Sequence, residues 1–166
     1  NGNPVPLQVD GKATHNDGSL RHAILTASIP SIAGNASSEL VLSTGPGNTG
    51  LPVTLNSLLT SGYDAQVNLN VGGASYVVSA RDLLSNGTPT QWLAGPIVSE
   101  WIIGGPVKTT GGTAHEHLAA YFHVRAYADG RVRTDVIVEN GWLLVSNPGA
   151  FSMSADIRIA GNTVYG

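Results

Sequence analysis

The sequence contains no cysteine and unusually few charged residues. Without cysteine the chain has no disulfide bonds and no thiolate ligands for a metal ion. Cysteine usage therefore gives no indication of whether the protein works in an oxidising or a reducing compartment. Only 11% of the residues are charged, whereas ordinary soluble domains have roughly 25%. Gly, Ser, Thr and Asn fill the remaining polar positions. This composition is typical of secreted and virion-surface β proteins, so we expect an extracellular or virion-surface location.

The sequence also lacks a broad basic surface and a long apolar run. Its formal net charge is -3, and the only concentration of basic residues is Arg125, Arg131 and Arg133. Because binding to duplex nucleic acid needs a wide positive stripe, nucleic acid is not an expected partner. No apolar run approaches the roughly 20 residues of a membrane-spanning helix. We therefore expect no membrane insertion.

The length and the hydrophobic content fit a single domain. The chain has 166 residues, 42% of them hydrophobic, which is enough to bury one substantial core. No repeat of fixed period and no linker divides it, so we predict one β domain over residues 1–166. Gly161-Asn162 is typical of a turn, and we expect the residues after this turn to begin a strand that runs back along the preceding one. We expect the domain to be a fragment of a longer protein.

Alternating apolar residues between glycine-rich turns predict an all-β fold. Besides a central hairpin, we predict strands at residues 12–15, 20–29, 39–43, 67–71, 74–78, 92–103 and 151–159. Gly104-Gly105-Pro106 is expected to close the strand that starts near Trp92. A short helix is predicted at residues 54–59, with Thr54 as its cap, and a helical turn at residues 80–84. The expected fold is a β-sandwich or barrel-like domain of mostly antiparallel strands with one or two short helices.

The central hairpin lies between Leu118 and Asn140. A three-residue loop, Ala128 to Gly130, makes one face almost wholly apolar, with Ala120, Phe122, Val124 and Ala126 opposite Val138, Val136, Thr134 and Val132. A two-residue loop would mix apolar and polar side chains on both faces, so the alternation predicts the longer turn. Gly130 then supplies the positive φ that the turn requires.

The opposite face of this hairpin is the candidate binding surface. Its members are Tyr121, His123, Arg125, Tyr127, Arg133 and Asp135. Tyrosine rings offer flat apolar surfaces to pyranose rings, and Arg125 or Arg133 can pair bidentately with a uronate carboxylate. The simpler interpretation, which the sequence alone favours, is a solvated sheet face that carries polar and amphipathic side chains.

The sequence offers little for metal binding or catalysis. His115 and His117 share strand parity with His123, but His123 lies roughly 20 Å from His117 along a straight strand, too far for one metal ion. Glu100 and the cross-strand pair of His123 with Asp135 are the groups placed for acid-base chemistry, and a surface ion pair explains the latter equally well. No nucleophile elbow, P-loop or dinucleotide motif occurs. We expect no catalytic residue, metal or cofactor.

The exposure of the three tryptophans would distinguish a role in core packing from a role in binding. Core packing is the ordinary role for Trp92, Trp101 and Trp142. Exposure of two or more of them would indicate an interface or a platform for sugar rings.

At two places the sequence resembles a known family. His15-Asn16-Asp17-Gly18-Ser19-Leu20-Arg21-His22-Ala23 resembles the DGS-x-R strand turn in the N-terminal β domain of exo-rhamnogalacturonan-lyase-like proteins, which is related to RIFT barrels. Gly95-Pro96-Ile97-Val98 and the segment from Tyr121 to Asn140 resemble the G-P-apolar strand and the later hairpin of that domain. These motifs describe turns and strands and are not catalytic signatures.

The resemblance implies a β module without lyase chemistry in these residues, because in that family the domain precedes a helical catalytic toroid. The Ser/Asn-rich segments 31–38 and 85–90 are also similar in style to phage tail and surface-fibre proteins. We predict a non-catalytic structural or assembly module of a larger virion or cell-surface protein. Its expected partners are other copies or subunits, with polysaccharide as a further candidate. The alternative is an accessory N-terminal domain of a polysaccharide lyase or other carbohydrate-active enzyme.

Overall fold

A computed structural model describes residues 4–29, 31–141, 150 and 152–166. The fold is mostly β, with 52% strand and 8% helix. An eight-stranded antiparallel sheet curls into a half-barrel, and a separate two-stranded sheet and two short helices accompany it. The predicted fold class, an antiparallel barrel-like β domain with two short helices, is confirmed.

The elements follow the chain in this order: β1 (Leu7–Thr14), β2 (Leu20–Ala27), α1 (Leu55–Thr60), β3 (Ala65–Val71), β4 (Ala74–Ser79), α2 (Ala80–Asn86), β5 (Thr90–Ala94), β6 (Val98–Lys108), β7 (Ala114–Tyr127), β8 (Val132–Asn140), β9 (Met153–Ile159) and β10 (Asn162–Tyr165). Among the described strands, the order in the large sheet is β10-β9-β3-β4-β6-β7-β8, and β5 pairs with β6 outside this path. Strands β1 and β2 form the small sheet by themselves.

The register of the β7–β8 hairpin agrees with the predicted one. Ala126 lies opposite Val132 and Phe122 lies opposite Val136. The N–H of Tyr127 donates to the carbonyl of Arg131 at 2.9 Å, which leaves residues 128–130 as the loop. Gly130 has a φ of 87°, the left-handed conformation that a glycine adopts without strain. The three-residue loop is therefore confirmed, and with it the assignment of side chains to the two faces.

The hydrophobic core lies between the inner face of the curled sheet and the two helices. Phe122 and Val124 on β7 are fully buried, and Trp101 on β6 is opposite Val124. Leu58 of α1 and Leu84 of α2 belong to the same buried cluster. Each helix has only one or two turns, so packing of this apolar side against the sheet is what stabilises it.

Other local predictions are confirmed as well. Helix α1 begins after Thr54, whose hydroxyl accepts a hydrogen bond from the N–H of Ser57 at 3.1 Å. The Gly72-Gly73 turn joins β3 to β4, and β10 returns along β9. No helix in the described part of the chain is long and apolar enough to cross a membrane.

Three strand predictions are wrong. Glu39–Ser43 forms no strand, because nothing in the described chain pairs with it. Residues 92–103 are not one extended run but parts of β5 and β6, joined by a turn that contains Gly95-Pro96. Strand β6 also continues through Gly104 and Gly105, where the large side chains of neighbouring elements fill the space beside the glycines.

Two smaller corrections concern strand limits. The first hairpin starts at Leu7 rather than Lys12, and its second strand ends at Ala27 rather than Ile29. The predicted strand at residues 151–159 corresponds to β9 over Met153–Ile159. Phe151 and Trp142 lie outside the described residues.

A side-chain amide attaches the small β1–β2 sheet to the large one. Gln8 is completely buried, and its Oε1 accepts hydrogen bonds from the N–H groups of Ile97 at 2.9 Å and Val98 at 3.0 Å. Its Nε2 donates to the carbonyl of Val98 at 2.8 Å. The carboxamide thus occupies the place that a neighbouring peptide group has in a sheet, and it satisfies three backbone groups.

Asp10 and Gly95 complete this contact. The carboxylate of Asp10 is buried, and it accepts hydrogen bonds from Gln8 Nε2 at 2.8 Å and from the N–H of Ala94 at 2.9 Å. A Cβ on Gly95 would lie 2.1 Å from the carboxamide carbon of Gln8, so only glycine fits there. At the far end of the contact, the ammonium of Lys12 donates to the carbonyl of Trp92.

The buried side of β7 predicts a large stability difference between adjacent residues. Phe122→Ala should lower the free energy of unfolding by about 3 to 5 kcal/mol, because it opens a cavity in the core. Tyr121→Ala on the outer face is the matched control and should cost less than half as much. Denaturant unfolding followed by tryptophan fluorescence measures both, and equal losses would contradict the described register.

The Gln8 contact predicts a strong coupling between two substitutions. Gln8→Ala and Gly95→Ala should each cost about 2 to 4 kcal/mol, the first by leaving backbone groups unpaired and the second by steric overlap. The double variant should cost at least about 1.5 kcal/mol less than the sum, since the overlap disappears. Additive losses in a double-mutant cycle would show that the two residues do not meet.

Candidate functional site

All six predicted site residues lie on one face of the large sheet. We call this surface the β7–β8 outer face and define it as Tyr121, His123, Arg125, Tyr127, Arg133, Asp135 and Ile137. Tyr121 is opposite Ile137, His123 is opposite Asp135, and Arg125 is opposite Arg133. Their positions follow directly from the register, since residues of one strand parity project to one side of the sheet.

At one end of this face the ring of Tyr121 lies across Gly104. A Cβ at Gly104 would be only 2.2 Å from Cδ1 and 2.7 Å from Cε1 of that ring. The missing side chain of Gly104 therefore lets the ring lie down on β6. Tyr121 keeps 38% of its surface exposed, and Ile137 beside it keeps 50%. Together they form an apolar platform on a part of the sheet where β7 is paired on both sides.

The middle of the face contains a largely buried ion pair. Glu100 Oε2 accepts from Nη2 of Arg125 at 2.7 Å and from Nε at 3.1 Å. The glutamate side chain is only 4% exposed, and the arginine side chain is 33% exposed. Partial burial works to lower the pKa of Arg125, but the hydrogen bonds and charge of Glu100, with a contribution from Tyr127, raise it above the ordinary value. Glu100, predicted as a candidate for acid-base chemistry, is thus tied to Arg125.

The other arginines of this region are also paired with carboxylates. Arg133 Nε donates to Asp135 Oδ1 at 3.1 Å along β8, so the carboxylate opposite His123 binds an arginine. Arg131 donates to Asp129 at 2.8 Å within the turn. The hydrogen bonds from Arg131 hold the pKa of the Asp129 carboxyl below its usual value. Each positive charge on this surface is therefore balanced by a negative one.

At the opposite end, Tyr127 separates two clefts. The guanidinium of Arg131 lies 5.7 Å from the centre of the Tyr127 ring, within the range of a cation–π contact. Each cleft has a volume of about 390 Å³, which is inside the usual size range for small-ligand sites. One extends towards Val53 and the start of α1, and the other towards Ala27 at the end of β2. The cleft towards Ala27 therefore adjoins the outer face at Tyr127, whereas the cleft towards Val53 also borders Ala126 and Leu58 on the core side.

His115, at the start of β7, binds backbone groups of its own strand. Nδ1 of His115 accepts hydrogen bonds from the N–H groups of His117 and Leu118, both at 3.1 Å. The His115 ring also packs edge-on against Tyr76. Among the described residues, no group of three or more His, Asp or Glu side chains is arranged to hold a metal ion.

Two of the three tryptophans lie in the described chain, and their environments differ. Trp101 is buried in the core. Trp92 is exposed on β5, and the ammonium of Lys12 lies 4.5 Å from the centre of its ring. This cation–π contact belongs to the attachment of the β1–β2 hairpin.

The sequence pattern predicted the face but not the roles of Gly104 and Glu100 in it. The pattern predicts a strand end at Gly104, although a glycine between apolar residues also indicates close approach of a large side chain. Arg125 is a predicted ligand-binding group and Glu100 a predicted candidate for acid-base chemistry, and the prediction does not pair the two. The signal for their pairing is a single carboxylate within the apolar run VSEWII, because a buried carboxylate requires a cationic partner.

Comparisons of the chain with protein-family models, with curated proteins and with solved structures found no match. The resemblance to the β domain of exo-rhamnogalacturonan-lyase-like proteins therefore stays a prediction.

The Glu100–Arg125 pair predicts unequal effects of two arginine substitutions. Arg125→Met should lower the free energy of unfolding by about 3 kcal/mol, because Glu100 stays buried without its partner. Arg133→Met removes an exposed pair and should cost less than about 1 kcal/mol. Adding Glu100→Gln to Arg125→Met should recover part of the loss. Thermal and denaturant unfolding provide the test, and similar losses for both arginines would contradict the burial of Glu100.

Proposed function

We propose that this chain is a non-catalytic β module of a larger virion, of the phage tail or fibre type, or of a cell-surface assembly, and that it contacts glycans through the β7–β8 outer face. The observation that carries the glycan part is the platform of Tyr121 and Ile137. An exposed aromatic ring held flat on a rigid sheet presents the kind of surface on which the apolar face of a pyranose packs. The Arg133–Asp135 pair beside it supplies donors and acceptors for sugar hydroxyls.

The charge balance of the face favours neutral sugars over uronates. Arg125 or Arg133 is predicted to pair with a uronate carboxylate, but each of them already binds a carboxylate of the chain itself. A ligand carboxylate would have to displace Asp135, or approach the buried Glu100, at an electrostatic cost. A neutral sugar stacks on Tyr121 without breaking either pair.

The assembly part of the proposal is supported by surface composition and by sheet edges. Only 11% of the residues are charged, and apolar residues such as Val164 and Tyr165 on β10 are exposed. Within the described sheet order, β8 and β10 are the end strands. Exposed edges and apolar residues are features that subunits of an assembly bury against one another. An extracellular or virion-surface location is part of the same proposal.

The alternative function is an accessory domain of a polysaccharide lyase or other carbohydrate-active enzyme. It is supported by the positions of the resembling motifs, since Gly95-Pro96 forms a turn before β6 and residues 121–140 lie in the β7–β8 hairpin. The mass of the native polypeptide and the size of the particle in which it purifies distinguish the two. Many copies in one large particle support the structural module, and a long monomeric chain supports the enzyme.

The platform predicts a specific loss of glycan binding. Neutral and uronic-acid oligosaccharides are immobilised, and binding of the wild-type chain is compared with that of Tyr121→Ala. We expect binding to neutral sugars, with about a tenfold loss of affinity in the variant, because one ring-stacking contact is removed. Arg125 is left unchanged in this test because it also holds Glu100.

Tyr165→Ala is the matched control, since Tyr165 is 66% exposed on β10, at the other end of the sheet order. It should bind as the wild type does. Undiminished binding by Tyr121→Ala, or an equal loss in the control, would remove the outer face from the proposal. Absence of binding to every sugar would remove glycan contact altogether.

A further inference from the structure

Three distant parts of the chain line the cleft that adjoins the β7–β8 outer face. Tyr127 and Arg131 lie on its side towards the β7–β8 turn, and residues 26–29, at and after the end of β2, lie on its side towards the β1–β2 hairpin. Pro96 and Ile97, from the turn between β5 and β6, also line it. The cleft has a volume of about 390 Å³. The hairpin and the large sheet thus contribute to one concave surface.

Hydrogen bonds hold these three parts together. The N–H of Ala128, in the β7–β8 turn, donates to the carbonyl of Ile97 at 3.0 Å. Gln8 of the β1–β2 hairpin accepts from the N–H of Ile97 at 2.9 Å. The N–H of Ser28 donates to the carbonyl of Pro6 at 2.9 Å, which closes the end of the hairpin. A cleft whose walls are already fixed pays little ordering cost when a ligand binds.

The cleft and the apolar platform lie on the same strand. Tyr121 and Tyr127 are six positions apart on β7, so their side chains project to the same side of the sheet, roughly 20 Å from each other along the strand. Arg125 and Arg133 lie opposite one another between them, and each is paired with a carboxylate of the chain. The two tyrosines are therefore joined by a polar strip that is balanced in charge.

We propose that the cleft at Tyr127 is a second subsite for glycan, and that the ligand is a neutral polysaccharide segment long enough to reach from Tyr121 to Tyr127. This inference rests on the proposed glycan contact and adds the length of the ligand to it. One ring of the chain packs on Tyr121, another enters the cleft, and the rings between them bind the polar strip through their hydroxyls. The β1–β2 hairpin becomes part of the binding site, because its end forms a wall of the cleft.

Two subsites at a fixed separation predict a characteristic dependence on ligand length. A short oligosaccharide contacts one subsite at a time. A chain that reaches both makes the second contact intramolecularly, so the gain in affinity starts at the length that spans the separation. We expect a step of at least about tenfold at that length and little change beyond it. Extra binding registers on a single subsite would instead raise the affinity gradually.

Neutral oligosaccharides of graded length test this dependence. Digests of glucan, mannan, galactan and xylan are fractionated from the disaccharide to the octasaccharide, and their affinity for the full chain is measured by titration calorimetry. A step between short and long members of at least one series is the expected result. A gradual rise, or equal affinity at all lengths, would overturn the second subsite and leave glycan contact at Tyr121 standing. Absence of binding by every member would overturn both.

A substitution on the hairpin locates the step in the cleft. Ser28→Trp fills the cleft from an exposed position and changes neither tyrosine. The ratio of the affinities for long and short sugars should fall to the few-fold value that extra registers give. Leu20→Trp is the matched control, since Leu20 is 57% exposed at the other end of β2. It should keep the full ratio.

Substitutions of the tyrosine provide a second measurement of the same ratio. Tyr127→Ala should lower it as Ser28→Trp does, whereas Tyr127→Phe, which keeps the ring, should preserve most of it. Far-UV circular dichroism of each variant verifies that the chain is folded. A step in affinity that survives both Ser28→Trp and Tyr127→Ala would overturn the assignment of the second subsite to this cleft.

Discussion

Strand β7 is hydrogen-bonded along both of its edges, and the two faces of the molecule depend on that double pairing. Its 14 residues pair with β6 on one side and β8 on the other. Because side chains alternate between the faces of a sheet, a shift of one residue would move Phe122 outwards and Tyr121 into the core. The register of β7 therefore determines at the same time which residues form the core and which form the outer face. The bulged turn at residues 128–130 fixes this register locally.

The parts of the fold that were predicted correctly are those specified by neighbouring residues. The Gly130 turn, the Gly72-Gly73 turn and the Thr54 cap each involve groups only a few positions apart. The sequence was less informative where contacts with distant elements determine whether a segment forms a strand and where that strand ends. Glu39–Ser43 has the composition of a strand, yet a strand needs a partner as well as a propensity. The predicted strand end at Gly104 and Gly105 is wrong because the residues that cover these glycines, Tyr121 and Leu83, come from other elements.

The same distinction holds for the candidate site. Strand parity placed six residues on one face, and the register agrees with that placement. Parity did not reveal that Arg125 is occupied, because Glu100 and Arg125 lie 25 positions apart. Their pairing alters the chemistry that the face offers, from a surface with free cations to one that is balanced in charge and apolar at one end. The ligand class that we propose changes with it, although the six residues lie on the face that the pattern predicted.

The attachment of the first hairpin through Gln8 has a consequence for the order of folding. The bond from Gln8 to the carbonyl of Val98 joins residues 90 positions apart, whereas the strands of the hairpin itself meet across a short turn. Contacts of high sequence separation form slowly, and synthesis proceeds from the N-terminus. During synthesis the hairpin can therefore form before β6 has been made, and until then the carboxamide of Gln8 is hydrated by water.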